Sequence, residues 1–65
     1  MKVTYDKETD ALYIQFKAEK INESDEDKNG VMIIDYAADG SVIGIEVLNA
    51  SEKLSLPVEL DFIET

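Results

Sequence analysis

Apolar side chains recur at every second position in several stretches of the chain, the period of a β-strand with one covered face. Val3 and Tyr5 alternate with Lys2, Thr4 and Asp6. Within 11–17, Leu12, Ile14 and Phe16 share one face, and Tyr13 and Gln15 share the other. The link Asp6-Lys7-Glu8-Thr9-Asp10 is polar and turn-like, so strands over 2–6 and 11–17 predict a hairpin. Val31-Met32-Ile33-Ile34-Asp35-Tyr36 is rich in β-branched residues and apolar on both faces, which predicts a central strand over 31–36. Asp39-Gly40 then predicts a tight turn, because glycine accepts the positive φ such a turn needs. The fourth strand follows over 42–48. Ile43, Ile45 and Val47 lie on one face and Gly44 on the other, where it marks a bulge or a close backbone approach.

Between the hairpins, residues 18–30 are polar, and Ile21 is their only large apolar side chain. They read as a loop, with room for a short edge strand near Lys20–Ser24. After the fourth strand, Asn49 can cap a helix while Glu52 reaches back to the cap N–H. Pro57 ends that helix within two turns, giving a short helix near 50–55. In 57–65, Val58, Leu60 and Phe62 alternate with Glu59, Asp61 and Ile63, which predicts an extended or flexible segment able to lie on the sheet or on a partner. The expected fold is one α+β domain over 1–65: a small antiparallel sheet of about four strands in two hairpins, with one short C-terminal helix.

Length sharpens this picture. A chain of 65 residues hides only about 60% of the surface its unfolded form exposes. Proteins of this size usually gain support from disulfides, a metal or a second copy. Cysteine and histidine are both absent, so disulfides and thiolate or imidazole metal sites are excluded. Oxygen-ligated metal and self-association remain, and a homodimer is the expected state.

Charge then narrows the partners. Fifteen acids face six lysines, for a net charge of −9, and there is no arginine. Bidentate recognition of phosphate or guanine relies on arginine, and neutralising a nucleic-acid backbone takes clustered cations. Lys2, Lys7, Lys17, Lys20, Lys28 and Lys53 are scattered among acids, which argues against nucleic acid and anionic membranes as partners. A basic protein is the complementary partner. No apolar run approaches the roughly 20 residues of a membrane helix, and Met1–Asp6 does not resemble a signal peptide, so the expected location is the cytoplasm.

Candidate chemistry is sparse. Asp25-x-Asp27-x-Asn29-Gly30 matches the first half of a calcium loop, in which alternate oxygens converge on a hard cation and glycine makes the sharp turn. Asp25, Asp27 and Asn29 are therefore the candidate metal ligands, with calcium as the ion. The twelfth position of that loop should be a bidentate glutamate and is Tyr36, and the ordinary alternative is a solvated acidic loop. Asp6, Glu8 and Asp10 form a second acidic group. Paired carboxylates can serve as acid and base, but at a turn Asp6 and Asp10 are better read as acceptors for turn N–H groups. Asp35 and Asp39 repeat the four-residue spacing of Asp6 and Asp10, again a matter of turn geometry. Glu46 lies on the face of Gly44 in the most apolar strand, where burial would raise its pKa; the simpler reading is that this face meets water or a partner. Tyr5, Tyr13 and Tyr36 read as packing residues on strands. Without Cys, His or a glycine-rich phosphate loop, nucleophilic catalysis lacks its parts, and an enzyme ranks last among the function classes.

Two strings carry a resemblance: Tyr5-Asp6-x-x-x-Asp10-Ala11-Leu12-Tyr13-Ile14, and Asp35-Tyr36-x-x-Asp39-Gly40-x-Val42-x-Gly44-Ile45-Glu46 closing with Asn49-Ala50-Ser51. Over roughly residues 3–51 the chain resembles the domain of unknown function 2283, a family of small bacterial, archaeal and phage proteins. The resemblance implies a compact α+β fold with a central hairpin sheet. It implies no established activity. An antitoxin-like role is suggested by members that stand beside small toxin-like proteins. Where the family often carries an acid after the second-motif tyrosine, this chain has Ala37. The leading expectation is an interaction module, antitoxin-like in one version, that binds a basic protein or itself. The alternative is a small cation-binding regulator using the 25–30 loop.

Overall fold

The computed structural model describes all of residues 1–65. It is a single antiparallel sheet of five strands with one turn of helix, in the order β1 (Lys2–Asp6), β2 (Ala11–Gln15), β3 (Glu23–Glu26), β4 (Met32–Tyr36), β5 (Val42–Val47) and α1 (Ala50–Lys53). Across the sheet the strands lie β1-β2-β5-β4-β3. The outer hairpin β1–β2 joins the β3–β4–β5 meander by pairing β2 with β5.

The expected hairpins over 2–6/11–17 and 31–36/42–48 both form, but four strands become five. The short edge strand allowed near Lys20–Ser24 forms, shifted along the chain to Glu23–Glu26, and a third hairpin pairs β3 with β4. Its sequence Glu-Ser-Asp-Glu lacks apolar alternation because all four residues of this edge strand are exposed. β2 ends at Gln15 because the Phe16 and Lys17 N–H groups both donate to the Ile43 carbonyl, at 2.7 and 3.3 Å. Gly40 turns the β4–β5 hairpin at φ 86°. The helix is one turn, shorter than 50–55, and Asn49 does not cap it: Asn49 stands in the left-handed region at φ 52° with no side-chain cap bond.

The pairing registers sort the side chains into two faces. Val3, Ile14, Ile45, Ile34 and Asp25 form one row across the strands, and Tyr5, Leu12, Val47 and Met32 form the next. Both rows lie on the apolar face. On the opposite face run Thr4, Tyr13, Glu46, Ile33 and Glu26, then Lys2, Gln15, Gly44, Asp35 and Ser24. Leu12, Ile43, Ala37 and Ala50 are the buried apolar residues.

Nothing builds a full second layer. The tail beyond α1 crosses the apolar face of β1 and β2, so that Leu54, Leu56, Pro57, Val58 and Leu60 line a groove with Leu12, Ile14 and Val47. The Leu56–Pro57 bond is cis. No backbone hydrogen bond ties residues 55–65 to the rest of the chain. The molecule is a slab of 32 × 32 × 20 Å with 5140 Å² of accessible surface. A compact protein of this mass exposes roughly 4,200 Å², so about 1,000 Å² is surplus.

Candidate functional site

Two arrangements stand out, one on each face. On the polar face, strand pairing sets Asp35 opposite Gly44 and Gly44 opposite Gln15. The register shifts at Asp35/Tyr36, so Gly44 sits beside a bulge. Tyr13, one row away on β2, leans across Gly44 and donates its hydroxyl to Asp35 Oδ2 at 2.9 Å. Ser24 of β3 donates to Asp35 Oδ1 at 2.6 Å. Asp35 is thereby buried, at 8% exposure, with both oxygens satisfied. Gly44 makes this possible, because a Cβ there would collide with the Tyr13 hydroxyl and lie 2.8 Å from the Ile14 carbonyl. Burial pushes the Tyr13 phenol up to about 12, helped by its bond to Asp35 and by the charges of Asp35 and Glu46. Glu46, half-buried, faces Tyr13 across the β2–β5 pair.

This network spans four strands and leaves no side-chain polar atom buried without a partner. A buried carboxylate with two donors specifies one register and is costly in any other. The sequence reading flagged Gly44 as a close approach but missed Tyr13, Asp35 and Ser24 as one unit. The signal was there in Gly44 and Asp35, but the neighbour of β5 on its far side is not written in the local pattern.

The apolar face is the second arrangement. Its central row Ile14–Ile45–Ile34 is only half-buried, and Met32 and Phe16 are exposed. The groove under the tail is lined by β1, β2, β5 and tail side chains and by none from β4. The β4 half of the face therefore stands open. Glu23 and Asp25 of β3 border it on the same face. Only one ion pair exists in the chain, Lys17 to Glu19 at 3.5 Å, so almost every acid lacks a lysine partner.

Asp6, Asp10, Asp27 and Asp39 have structural uses. Asp6 Oδ1 accepts the Glu8 N–H at 2.9 Å, the turn role expected of it. Asp10 does something else: its backbone is left-handed at φ 53°, and its carboxylate accepts from Tyr5 at 2.6 Å and from the Ser51 hydroxyl and N–H at 2.7 and 3.0 Å. The Asp10 carbonyl also accepts the Ala50 N–H at 2.9 Å. The first hairpin turn thus holds the start of α1, from which the tail departs. These hydroxyl bonds, Tyr5 first and Ser51 second, hold Asp10 below the usual carboxylate range. Asp39 is held low in the same way by Ser41.

In the 25–30 loop, Asp27 Oδ1 accepts the Val31 and Met32 N–H groups at 2.7 and 3.1 Å. Asp25 lies within β3 opposite Ile34, and Asn29 is exposed in the turn that follows. The turn has its own use for the Asp27 carboxylate, and no group of three or more acidic side chains is gathered to hold a metal ion.

No curated protein and no solved structure matches the chain. Residues 2–51 match the family described as "Protein of unknown function (DUF2283)". That span runs from β1 through the first residues of α1 and takes in the whole Tyr13–Gly44–Asp35–Ser24 network, leaving the tail outside. The chain belongs to the DUF2283 family.

Proposed function

We propose that the protein is an interaction module whose apolar sheet face receives a basic, amphipathic segment of a partner protein. The observation that carries this reading is the uncovered β4 half of that face. Ile34 and Ile45 stand in one row and Met32 in the next, beside Glu23 and Asp25, on a chain of net charge −9 with a single internal ion pair. Apolar side chains of the partner would cover the isoleucine row, and its cations would meet the acids at the rim. An antitoxin-like role, with a small basic toxin as the partner, is one form of this reading.

The test is a titration of the ¹⁵N-labelled chain with a synthetic Lys/Leu amphipathic peptide. Expected are shifts at Met32, Ile34 and Ile45, an affinity that falls with added salt, and loss of binding in Ile34→Asp. Shifts confined to Thr4, Tyr13 and Glu46 on the polar face, or none at all, would overturn the proposal.

A further inference from the structure

The sheet has two free edges, β1 and β3, and they differ in a way that selects a partner. An unpaired edge presents a row of N–H and C=O groups able to template another strand. β3 reads Glu23-Ser24-Asp25-Glu26. A two-fold axis at Ser24 would set Glu23 against Asp25 twice, and one at Asp25 would set Asp25 against its own copy, so either antiparallel self-pairing places like charges directly opposite, which is destabilising. The edge is closed to a second copy by its own charge.

β1 reads Lys2-Val3-Thr4-Tyr5-Asp6. Its outer side makes no backbone hydrogen bond within the chain, and it ends the strand order. A two-fold axis at Thr4 pairs Thr4 with its own copy. Lys2 of one copy then stands opposite Asp6 of the other, and Val3 opposite Tyr5, each pair occurring twice. Lys2, Thr4 and Asp6 share the polar face, and Val3 and Tyr5 share the apolar face, so charge meets charge and apolar side chain meets apolar side chain. Tyr5 is 39% exposed, and Val3 and Tyr5 line the groove closed by Leu56, Pro57 and Val58. Pairing through β1 would bring the two grooves side by side across the axis.

We infer that β1 is a self-complementary edge and that the occupant it fits is a second copy of this chain, added antiparallel in the Thr4–Thr4 register to give one continuous sheet through both copies. This surface is separate from the β4 half of the apolar face, so a dimer leaves the proposed partner site open.

Sedimentation equilibrium of the full chain up to millimolar concentration tests it. The chain is expected to dimerise. Lys2→Glu, which sets glutamate against Asp6 at both ends of the strand pair, is expected to weaken the dimer about tenfold. The exchange variant K2E/D6K restores opposite charges and should recover most of that loss. Glu26→Gln on the β3 edge, on the polar face, should leave the dimer constant unchanged. Circular dichroism confirms that each variant is folded. In a mixture of labelled and unlabelled chains, isotope-filtered spectra should show Val3 of one copy against Tyr5 of the other. A chain that stays monomeric, a dimer indifferent to Lys2→Glu, or a dimer without the Val3–Tyr5 contact would overturn the inference.

Discussion

The polar face of the sheet holds its one buried carboxylate with two hydroxyl donors. The apolar face, which carries the central isoleucine row, is covered on one half only, by a segment with no backbone hydrogen bond to the sheet. The contrast reverses the usual division of labour, in which apolar packing fixes the core and polar groups meet water. Here a directional network on the polar face favours one register over any other. Leu12 and Ile43 are buried, but Ile34, Ile45 and Met32, which a second layer would ordinarily cover, remain available. The family match ends where this difference begins, since it includes the whole polar network and stops before the tail.

Substitutions can break the comparison. The largest effect is expected at Gly44→Ala, where the new methyl group meets Tyr13 and the Ile14 carbonyl. Loss of the slot should cost about 3 kcal/mol, read as a lower urea midpoint. Tyr13→Phe keeps the ring but leaves Asp35 with Ser24 alone, and about 1–2 kcal/mol should be lost. The same residue sets an alkaline limit. A phenol raised from 10.0 to about 12 stabilises the fold fully below pH 10, and that contribution disappears as pH rises through 12. In Tyr13→Phe this part of the alkaline loss should vanish from the stability–pH curve, leaving the part that comes from Tyr5, whose phenol is raised by its bond to Asp10.

At the root of the tail the sign is opposite. Asp10 is depressed by its bonds to Tyr5 and Ser51, so its contribution is present above the usual carboxylate pKa and lost as pH falls through its own lower value. Asp10→Asn should remove that acid sensitivity and speed hydrogen exchange at the Ser51 amide. The smallest effect on stability belongs to the apolar side. Ile34→Ser, at a half-buried position beyond the tail, should cost less than about 1 kcal/mol, while removing affinity for the basic peptide. If it instead unfolds the chain as readily as Gly44→Ala, the open face is a core after all and the comparison fails.

Most of the sheet was legible because alternation survives wherever one face is covered. Leu12, Ile14, Ile43, Ile45 and Val47 mark their strands plainly. β3 was legible only as an edge strand near Lys20–Ser24, with its bounds displaced, since its four residues are exposed and its strand state comes from pairing with β4 and from the Ser24–Asp35 bond. The helix start was half legible: the segment begins at Ala50 as expected, but Asp10, 41 residues from Ser51, supplies the anchoring that the sequence assigned to Asn49. Long-range partners of this kind leave no local periodicity. The Tyr13–Asp35 pair escaped for the same reason, with only Gly44 betraying the space it needs.

The strand order also gives the chain a folding sequence. The β1–β2 hairpin and the β3–β4–β5 meander are each built from neighbours in the chain, whereas the β2–β5 seam joins distant segments. Local hairpins close quickly, and distant pairings must first overcome the entropy of loop closure. Assembly at the seam should therefore be the slow step, and the Tyr13 hydroxyl reaches Asp35, 22 residues away, only when it is complete. Stopped-flow refolding followed by tyrosine emission should place that event last, after the meander has already brought Ser24 to Asp35.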